Sequence, residues 1–236
     1  MKQIQLYKTT NHLNQQCVVQ MQYGSTNSKT GNSIQVWILP MKWIEEGVSA
    51  MIDDEASCMD CPHSKRANKS CYVRKGYAEY GLMSKVKSLH NHYNNNNIEL
   101  RDISELASLE KSKCANKFIR FGAYGEPILL GEQNIKELTE VASNFTGYTH
   151  QWHIPKYSWS NKYFMASVET EALMNKAISK GFRTFRVKTA KSNNTQMHNE
   201  IVCPASKEGG RKVTCNVCAL CKGASSKAKN IVINKH

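Results

Sequence analysis

The chain lacks any apolar run approaching the roughly 18 residues that a membrane-spanning helix needs. Its opening, Met1-Lys2-Gln3-Ile4-Gln5, lacks the charged-then-apolar build of a secretory leader. These two absences predict no membrane association and a cytoplasmic protein. There is no Gly-x-Ser-x-Gly elbow, which argues against serine-hydrolase chemistry, and no Walker phosphate loop. Internal repeats are absent, and no linker is long enough to impose two separate domains. Acidic residues are scarce, 19 against 32 Lys and Arg, for a formal charge of +13 and a pI near 9.3. Such an excess attracts polyanions, nucleic acid first among them, without specifying a fold.

What is present suffices for a buried core: 236 residues, 40% of them hydrophobic, need no disulfide staples. Nine cysteines therefore ask for another explanation. The number is odd, seven of the nine fall into two tight groups, and no export signal precedes them, so metal is expected before disulfide.

Along the chain, residues 3–23 read as a peripheral strand or hairpin, followed by turn signals at Gly24–Asn27 and Thr30–Ser33. Ile34–Pro40 is a β-branched run stopped by proline and is expected to be the first buried strand. Further strands are expected at Lys117–Gly122, just before Tyr148, at Tyr163–Val168, at Thr184–Lys188 and at Asn230–Asn234. Helical spacing marks residues 72–92, a short segment around Ile103–Leu109, residues 134–142 and residues 171–179. Strands alternating with helices from residue 34 onward predict an α/β fold with a parallel sheet, specifically an incomplete (β/α) barrel, since a full eight-stranded barrel usually takes about 250 residues. The expected division is an N-terminal peripheral hairpin (1–33), the partial barrel (34–200) and a cysteine-rich, metal-binding C-terminal segment packed on it (201–236).

The first cysteine group is Cys58-x2-Cys61-Pro62-x8-Cys71. Zinc wants four ligands, and so does a cubane cluster, so three thiols leave one position over. It is filled by His63, Cys114 or Cys17, or else left to a substrate or cofactor as in open catalytic sites. A zinc knuckle that pins the loop is the plainer alternative. The second group, Cys203, Cys215, Cys218 and Cys221, supplies four thiols and could close a structural zinc site or hold an iron–sulfur cluster. Its two consecutive x2 spacings resemble ferredoxin-type ligation more than a split zinc ribbon. Residues 201–236 hold seven Lys and Arg against one acidic residue, which makes a nucleic-acid contact there a further expectation. Cys17 and Cys114 read as small buried hydrophobes.

After the expected second strand comes Phe121-Gly122-Ala123-Tyr124-Gly125-Glu126-Pro127. Glycines at the C-terminal end of a parallel strand let backbone approach a ligand, and one acidic residue there can receive an ammonium or a ribose hydroxyl. The alternative is a tight turn with an exposed glutamate. In Gly147–His153, His150 is the candidate for a polar group at a cavity mouth, for ligand binding or proton transfer, while His153 would point the other way on an extended chain. Arg183 and Arg186 flank a strand and could receive a phosphate or carboxylate.

A three-cysteine loop after the first core strand and a Gly-x-x-Gly-Glu-Pro turn after the second resemble the radical S-adenosylmethionine (SAM) enzymes. That resemblance implies an incomplete (β/α)6 barrel, a [4Fe-4S] cluster on Cys58, Cys61 and Cys71, and SAM with Gly125 and Glu126 beside its methionine moiety. Gly122 and Tyr124 of the same turn are further cofactor-binding candidates, and Glu126 and His150 are the catalytic candidates. The family's usual spacing is Cys-x3-Cys-x2-Cys; here it is x2 then x9, and Tyr124 stands where the first glycine of the pair would be. The ordered set Cys-x2-Cys-Pro, Cys-Tyr-Val, Phe-Gly-Ala-Tyr-Gly-Glu-Pro, Gly-Tyr-Thr-His-Gln-Trp, Phe-Arg-Val and Cys-Pro-Ala-Ser, closed by Cys-x2-Cys-x2-Cys, is also similar to a family of phage-encoded cysteine-rich proteins over residues 34–236. It implies a phage-infected host cell as the setting and brings no activity with it. The expected function is an iron–sulfur enzyme that modifies a nucleic acid or nucleotide. The alternative is a non-catalytic zinc protein that binds nucleic acid or a host partner.

Overall fold

The computed structural model describes residues 3–65, 67, 70–188, 196–197, 199–210, 213–224 and 227–234. Among the described residues, eleven strands form two sheets. The first contains β1 (Ile4–Thr10), β2 (Gln16–Asn27), β3 (Gly31–Pro40), β4 (Ile98–Asp102), β5 (Phe118–Tyr124) and β6 (Asn144–Thr146), in the order β4-β1-β2-β3-β5-β6. The second contains β7 (Tyr148–Thr149), β8 (Met165–Val168), β9 (Thr184–Lys188), β10 (Glu200–Val202) and β11 (Asn230–Asn234), in the order β10-β11-β9-β8-β7. Every pairing in the second sheet is parallel, as are β3 with β5 and β5 with β6. The protein is thus a mixed α/β fold with parallel-rich sheets.

Among the described residues the α-helices between the strands are α1 (Met41–Glu46), α2 (Glu55–Cys58), α3 (Gly76–Asn94), α4 (Leu106–Cys114), α5 (Glu132–Val141), α6 (Glu171–Ser179) and the single turn α7 (Cys215–Cys218). The strand runs are apolar rather than alternating because both faces of the sheets are covered. On one face of the first sheet Tyr7, Val19, Ile34, Val36, Ile38, Ile119 and Phe121 pack with Leu106 of α4 and with Ile135 and Leu138 of α5. On the other, Leu6, Val18, Leu39 and Tyr124 pack with Trp43 and Ile44 of α1 and with Leu82, Val86 and Leu89 of α3. Full burial of each such side chain contributes about 1.5–3 kcal/mol before the entropy of ordering it.

The N-terminal hairpin β1–β2 pairs antiparallel onto β3 and carries Leu6, Tyr7, Val18 and Val19 into the core, where all four are fully buried. It extends the main sheet, and β4 pairs in parallel with its outer edge.

The two sheets meet at Gly147, between β6 and β7. Its amide donates to Cys221 O at 3.1 Å and its carbonyl accepts from Met165 N at 3.2 Å. A Cβ here would lie 2.6 Å from Phe164 Cδ1, so glycine is what allows the strand to pass from one sheet to the other. In the second sheet, Ala166 and Val168 pack against Met174 and Ala177 of α6, while Met165 and Ile231 on the opposite face pack against Cys203 and Ala205. Among the described residues, no helix is long and apolar enough to cross a membrane.

Candidate functional site

The parallel strands end on one side, and the chain segments that leave those ends enclose a cavity of about 210 Å³. A single water needs roughly 10–15 Å³ on the same measure, so the space suits a ligand rather than isolated solvent. Its walls include residues of six strands from both sheets, among them Arg120, Thr146, Tyr148, Ser167, Phe185 and Ile233. In parallel α/β sheets this is the end at which ligands bind.

The three-cysteine loop forms one wall. Leaving β3, the chain turns through α1 and α2, which places Cys58 at a helix end with its amide 2.9 Å from Asp54 O. Successive turns then tie Cys61 N to Cys58 O (3.0 Å), Cys71 N to His63 O (2.9 Å) and Arg74 N to Cys71 O (3.0 Å). Met59 takes a positive φ of 48° to make the reversal. As a result Cys58, Cys61, His63 and Cys71 all line the cavity. All nine cysteines are free thiols. Burial, reinforced by Asp54 and the neighbouring thiols, pushes Cys58 well above the ordinary thiol range, and burial also raises Cys71. Metal binding here would displace protons.

The Gly-Glu-Pro turn forms the adjoining wall, and Glu126 N donates to Ser57 O at 2.8 Å, fastening it to the cysteine loop. Gly122 and Gly125 have φ of 68° and 78°. A Cβ on Gly125 would lie 2.4 Å from Ile38 O, so the glycine is demanded by the close approach to β3 as well as by the turn. Tyr124 packs on Trp43 with ring centroids 5.5 Å apart and reaches Asp54 Oδ2 with its hydroxyl at 3.2 Å, which braces the cysteine loop. Glu126 is 4% exposed, not the exposed turn residue of the plainer alternative. Its Oε2 accepts from Thr149 Oγ1 at 2.7 Å and its Oε1 from His150 N at 3.0 Å.

His150 follows β7 directly, and its ring lies between two carboxylates. Nδ1 is 3.5 Å from Glu126 Oε1, Nε2 is 3.1 Å from Glu169 Oε1, and Cys61 Sγ is 3.9 Å from Nε2. Burial opposes the imidazolium, but Cys61, Glu126 and Glu169 outweigh it and hold the His150 pKa well above its ordinary value. Glu169 itself is buried, which favours its neutral form, yet hydrogen bonds from His150 and His63 draw its pKa down to about 2. Because this folded-state pKa lies below the ordinary 4.5, the interaction stabilises fully above pH about 4.5 and is lost as pH falls toward 2. Glu169→Gln should therefore flatten the acid limb of a stability-versus-pH curve between those values, as measured by denaturant unfolding.

His153 belongs to a 3-10 turn that starts after His150, and it faces elsewhere: Nδ1 donates to His150 O (3.0 Å) and Nε2 is 3.1 Å from Asp60 Oδ2. Arg183 and Arg186 are committed to the fold. Arg183 donates to the carbonyls of Leu220, Lys222, Ala228 and Lys229 at 2.5–2.9 Å. Arg186 makes a two-pronged pair with Glu200 at 2.7 and 2.6 Å. Cys17 and Cys114 lie in the core, 1% and 0% exposed, and burial lifts them to about 12 and 11. Of the three fourth-ligand candidates only His63 reaches the cavity.

The second cysteine group gathers behind the first cavity. Cys203, Cys215, Cys218 and Cys221 together line a space of about 10 Å³, the size of one water or one ion. Cys215 N and Asn216 N donate to Lys29 O and Thr30 O at the β2–β3 turn, and Cys221 O accepts from Gly147 N and Thr146 Oγ1. Ala219 caps α7 in the left-handed conformation. Burial, together with the other three thiols, pushes Cys221 up to about 12. Cys215 borders both spaces, so the two groups stand back to back.

Sequence reasoning assigned no role to Glu169, Arg120, Tyr148 or Phe185. Arg120 reaches into the cavity, its guanidinium hydrogen-bonded to Tyr72 Oη, and Tyr148 and Phe185 stack with ring centroids 4.3 Å apart. The first hint available was position alone: Glu169 is the residue after β8.

The fold and site define an α/β protein with a thiol-walled cavity at the carboxyl ends of its parallel strands. Comparison with models of known families, with curated proteins and with solved structures finds no match to this chain.

Proposed function

We propose that the chain is an iron–sulfur protein of partial (β/α) barrel architecture, resembling the radical SAM enzymes, that acts on a nucleotide or nucleic acid. The observation that carries this reading is the meeting of two motifs at one cavity: Cys58, Cys61 and Cys71 on one wall, and Gly122–Glu126 on the next. Continuity of the strands supports the barrel, since β3, β5 and β6 lead through Gly147 into β7, β8, β9 and β11, all running in parallel.

The donor set fits the cluster. Cys58 is buried, Cys61 and Cys71 are half-buried, and all three line a space large enough for more than an ion. In the resembled enzymes, a cluster with one iron free of protein ligands supplies the electron that cleaves SAM. Glu126 would hold an ammonium group, with Gly122 and Gly125 bringing the backbone close beside it. His150, set between Glu126 and Glu169 at the cavity wall, would serve in proton transfer. Arg120 and the Tyr148–Phe185 pair would receive a phosphate and a planar base. The basic composition supports an anionic substrate.

To the second group, four thiols bordering one space of about an ion's size, we assign a single structural zinc. The two sites are separable by mutation. Cys58→Ser and Cys71→Ser should lose iron and inorganic sulfide while retaining zinc, and Cys218→Ser should lose zinc. Iron that survives both Cys58→Ser and Cys71→Ser would refute the assignment. Zinc in both groups of the wild-type chain would favour the non-catalytic alternative.

A further inference from the structure

Beside the thiols stands a second set of donors that contains no sulfur. We infer that His63, His150 and Glu169 form a site for a single first-row divalent cation, built from other side chains than the cysteine sites and bordering the first of them, with Cys61 Sγ 3.9 Å from His150 Nε2. The three residues come from three places: His63 from the cysteine loop, His150 from the end of β7 and Glu169 from the end of β8. Both imidazoles turn Nε2 toward the same oxygen, His63 Nε2 to Glu169 Oε1 at 3.1 Å and His150 Nε2 to Glu169 Oε1 at 3.1 Å. Among the described residues this is the one His, Cys and carboxylate trio whose donor atoms all lie within 4.8 Å of one another. Nitrogen and oxygen ligands about 2.0–2.2 Å from a metal, set at octahedral or tetrahedral angles, stand about 3.0–3.5 Å apart. The two nitrogen–oxygen separations, 3.1 Å each, match.

The surroundings are those of a metal site. A ligating histidine usually has its other ring nitrogen fixed by a hydrogen-bonding neighbour. His63 Nδ1 is 2.7 Å from Ser70 Oγ, and Ser70 is buried. His150 Nδ1 faces Glu126 Oε1 at 3.5 Å, and Glu126 is held in turn by Thr149 Oγ1. The rings meet nearly edge to face, 5.6 Å apart at 67°. The three side chains are 13%, 17% and 15% exposed, sheltered yet bordering the cavity through His63 and His150. Two imidazoles and one carboxylate with open positions on the cavity side are the donor set that suits Fe²⁺, Mn²⁺ or Zn²⁺. In the loaded protein the ion replaces the protons on both Nε2 atoms, and His150 acts as a ligand.

The inference does not depend on the iron–sulfur proposal, because none of the three ligands is a thiol. Mn²⁺ is the probe of choice, as thiolates bind it poorly. Titration of the full-length chain, followed by the electron paramagnetic resonance of free Mn²⁺, should show one bound ion per chain, unchanged in Cys58→Ser and Cys71→Ser. Glu169→Gln should abolish binding, and Ser70→Ala, which removes only the partner of His63, should weaken it by about tenfold. Pulsed resonance on the wild-type complex should show coupling to imidazole nitrogen, a readout that requires no variant to fold. Absence of saturable binding, a bound ion without nitrogen coupling, or binding that survives Glu169→Gln would overturn the site. Binding lost in the cysteine variants would do so as well, by assigning the ion to the thiols. Iron and sulfide content, measured separately, reports on the cluster and is untouched by any of these outcomes.

Discussion

Glu200→Gln should destabilise the protein by about 3–5 kcal/mol, because it removes the carboxylate from a guanidinium that has left water almost completely. Arg186 is 1% exposed and Glu200 1%, and the two hydrogen bonds between them are 2.7 and 2.6 Å long. The pair fastens β9 to β10 across the sheet order, since β11 lies between those strands. Glu200 also accepts from Met197 N at 3.0 Å, so its loss loosens the start of β10. In a chain of this size the loss corresponds to a fall in Tm of roughly 10 °C or more. Replacing both partners with apolar residues of similar volume, Arg186→Met with Glu200→Leu, should recover much of it, because the larger cost of a broken buried pair is the charge left behind. Equilibrium unfolding of the single and double variants measures this, and a single variant within 1 kcal/mol of wild type would show that the pair is not needed.

Gly125→Ala should cost about 4 kcal/mol, the sum of a strained positive φ and an overpacked contact. The φ is 78° and the new Cβ would stand 2.4 Å from Ile38 O and 2.8 Å from Ile38 Cβ. A backbone oxygen in the middle of β3 cannot move aside as a side-chain tip could. The turn would have to shift, and Glu126 would shift with it, weakening its hold on Ser57 O, Thr149 and His150. Gly131, by contrast, has a φ of 81° but no heavy atom within 4 Å of a Cβ there, so Gly131→Ala should meet backbone strain alone and cost less. Thermal unfolding of the two variants separates packing from strain.

The strands that build the cavity were legible because their chemistry is local. Ile34–Pro40, Phe118–Tyr124, Met165–Val168, Thr184–Lys188 and Asn230–Asn234 are short β-branched or aromatic runs bounded by turn residues, and each is a strand within a few residues of where it was expected. Ile98–Asp102 gave no such signal. Its sequence alternates apolar and charged residues beside an asparagine run, as suits an edge strand with half-buried side chains, and it exists through parallel pairing with β1. The integration of the hairpin 4–27 into the main sheet is likewise a matter of pairing partner, which local pattern does not encode.

Within the site, the cysteine groups and the Gly-Glu-Pro turn were legible because ligand spacing and positive-φ glycines leave marks in sequence. Glu169 left none: it precedes a helix, where acidic residues are commonplace. Its meeting with His150 depends on the side-by-side emergence of β7 and β8, and its meeting with His63, 106 positions away, on the packing of the cysteine loop against those strand ends. The arginines erred in the other direction. Arg183 and Arg186 had the chemistry of ligand-binding residues, but carbonyls and a carboxylate of the protein itself occupy them. Arg120, unremarked in sequence, is the arginine that lines the cavity.

We propose that Cys58, Cys61 and Cys71 hold an iron–sulfur cluster at the mouth of the parallel strands. Iron and acid-labile sulfide, determined together on anaerobically purified full-length protein along with the visible spectrum, test it most directly. The account predicts four iron and four sulfide per chain with the broad visible absorption of a cluster, beside one zinc in the Cys203, Cys215, Cys218 and Cys221 group. A colourless protein that contains zinc and no sulfide would contradict it.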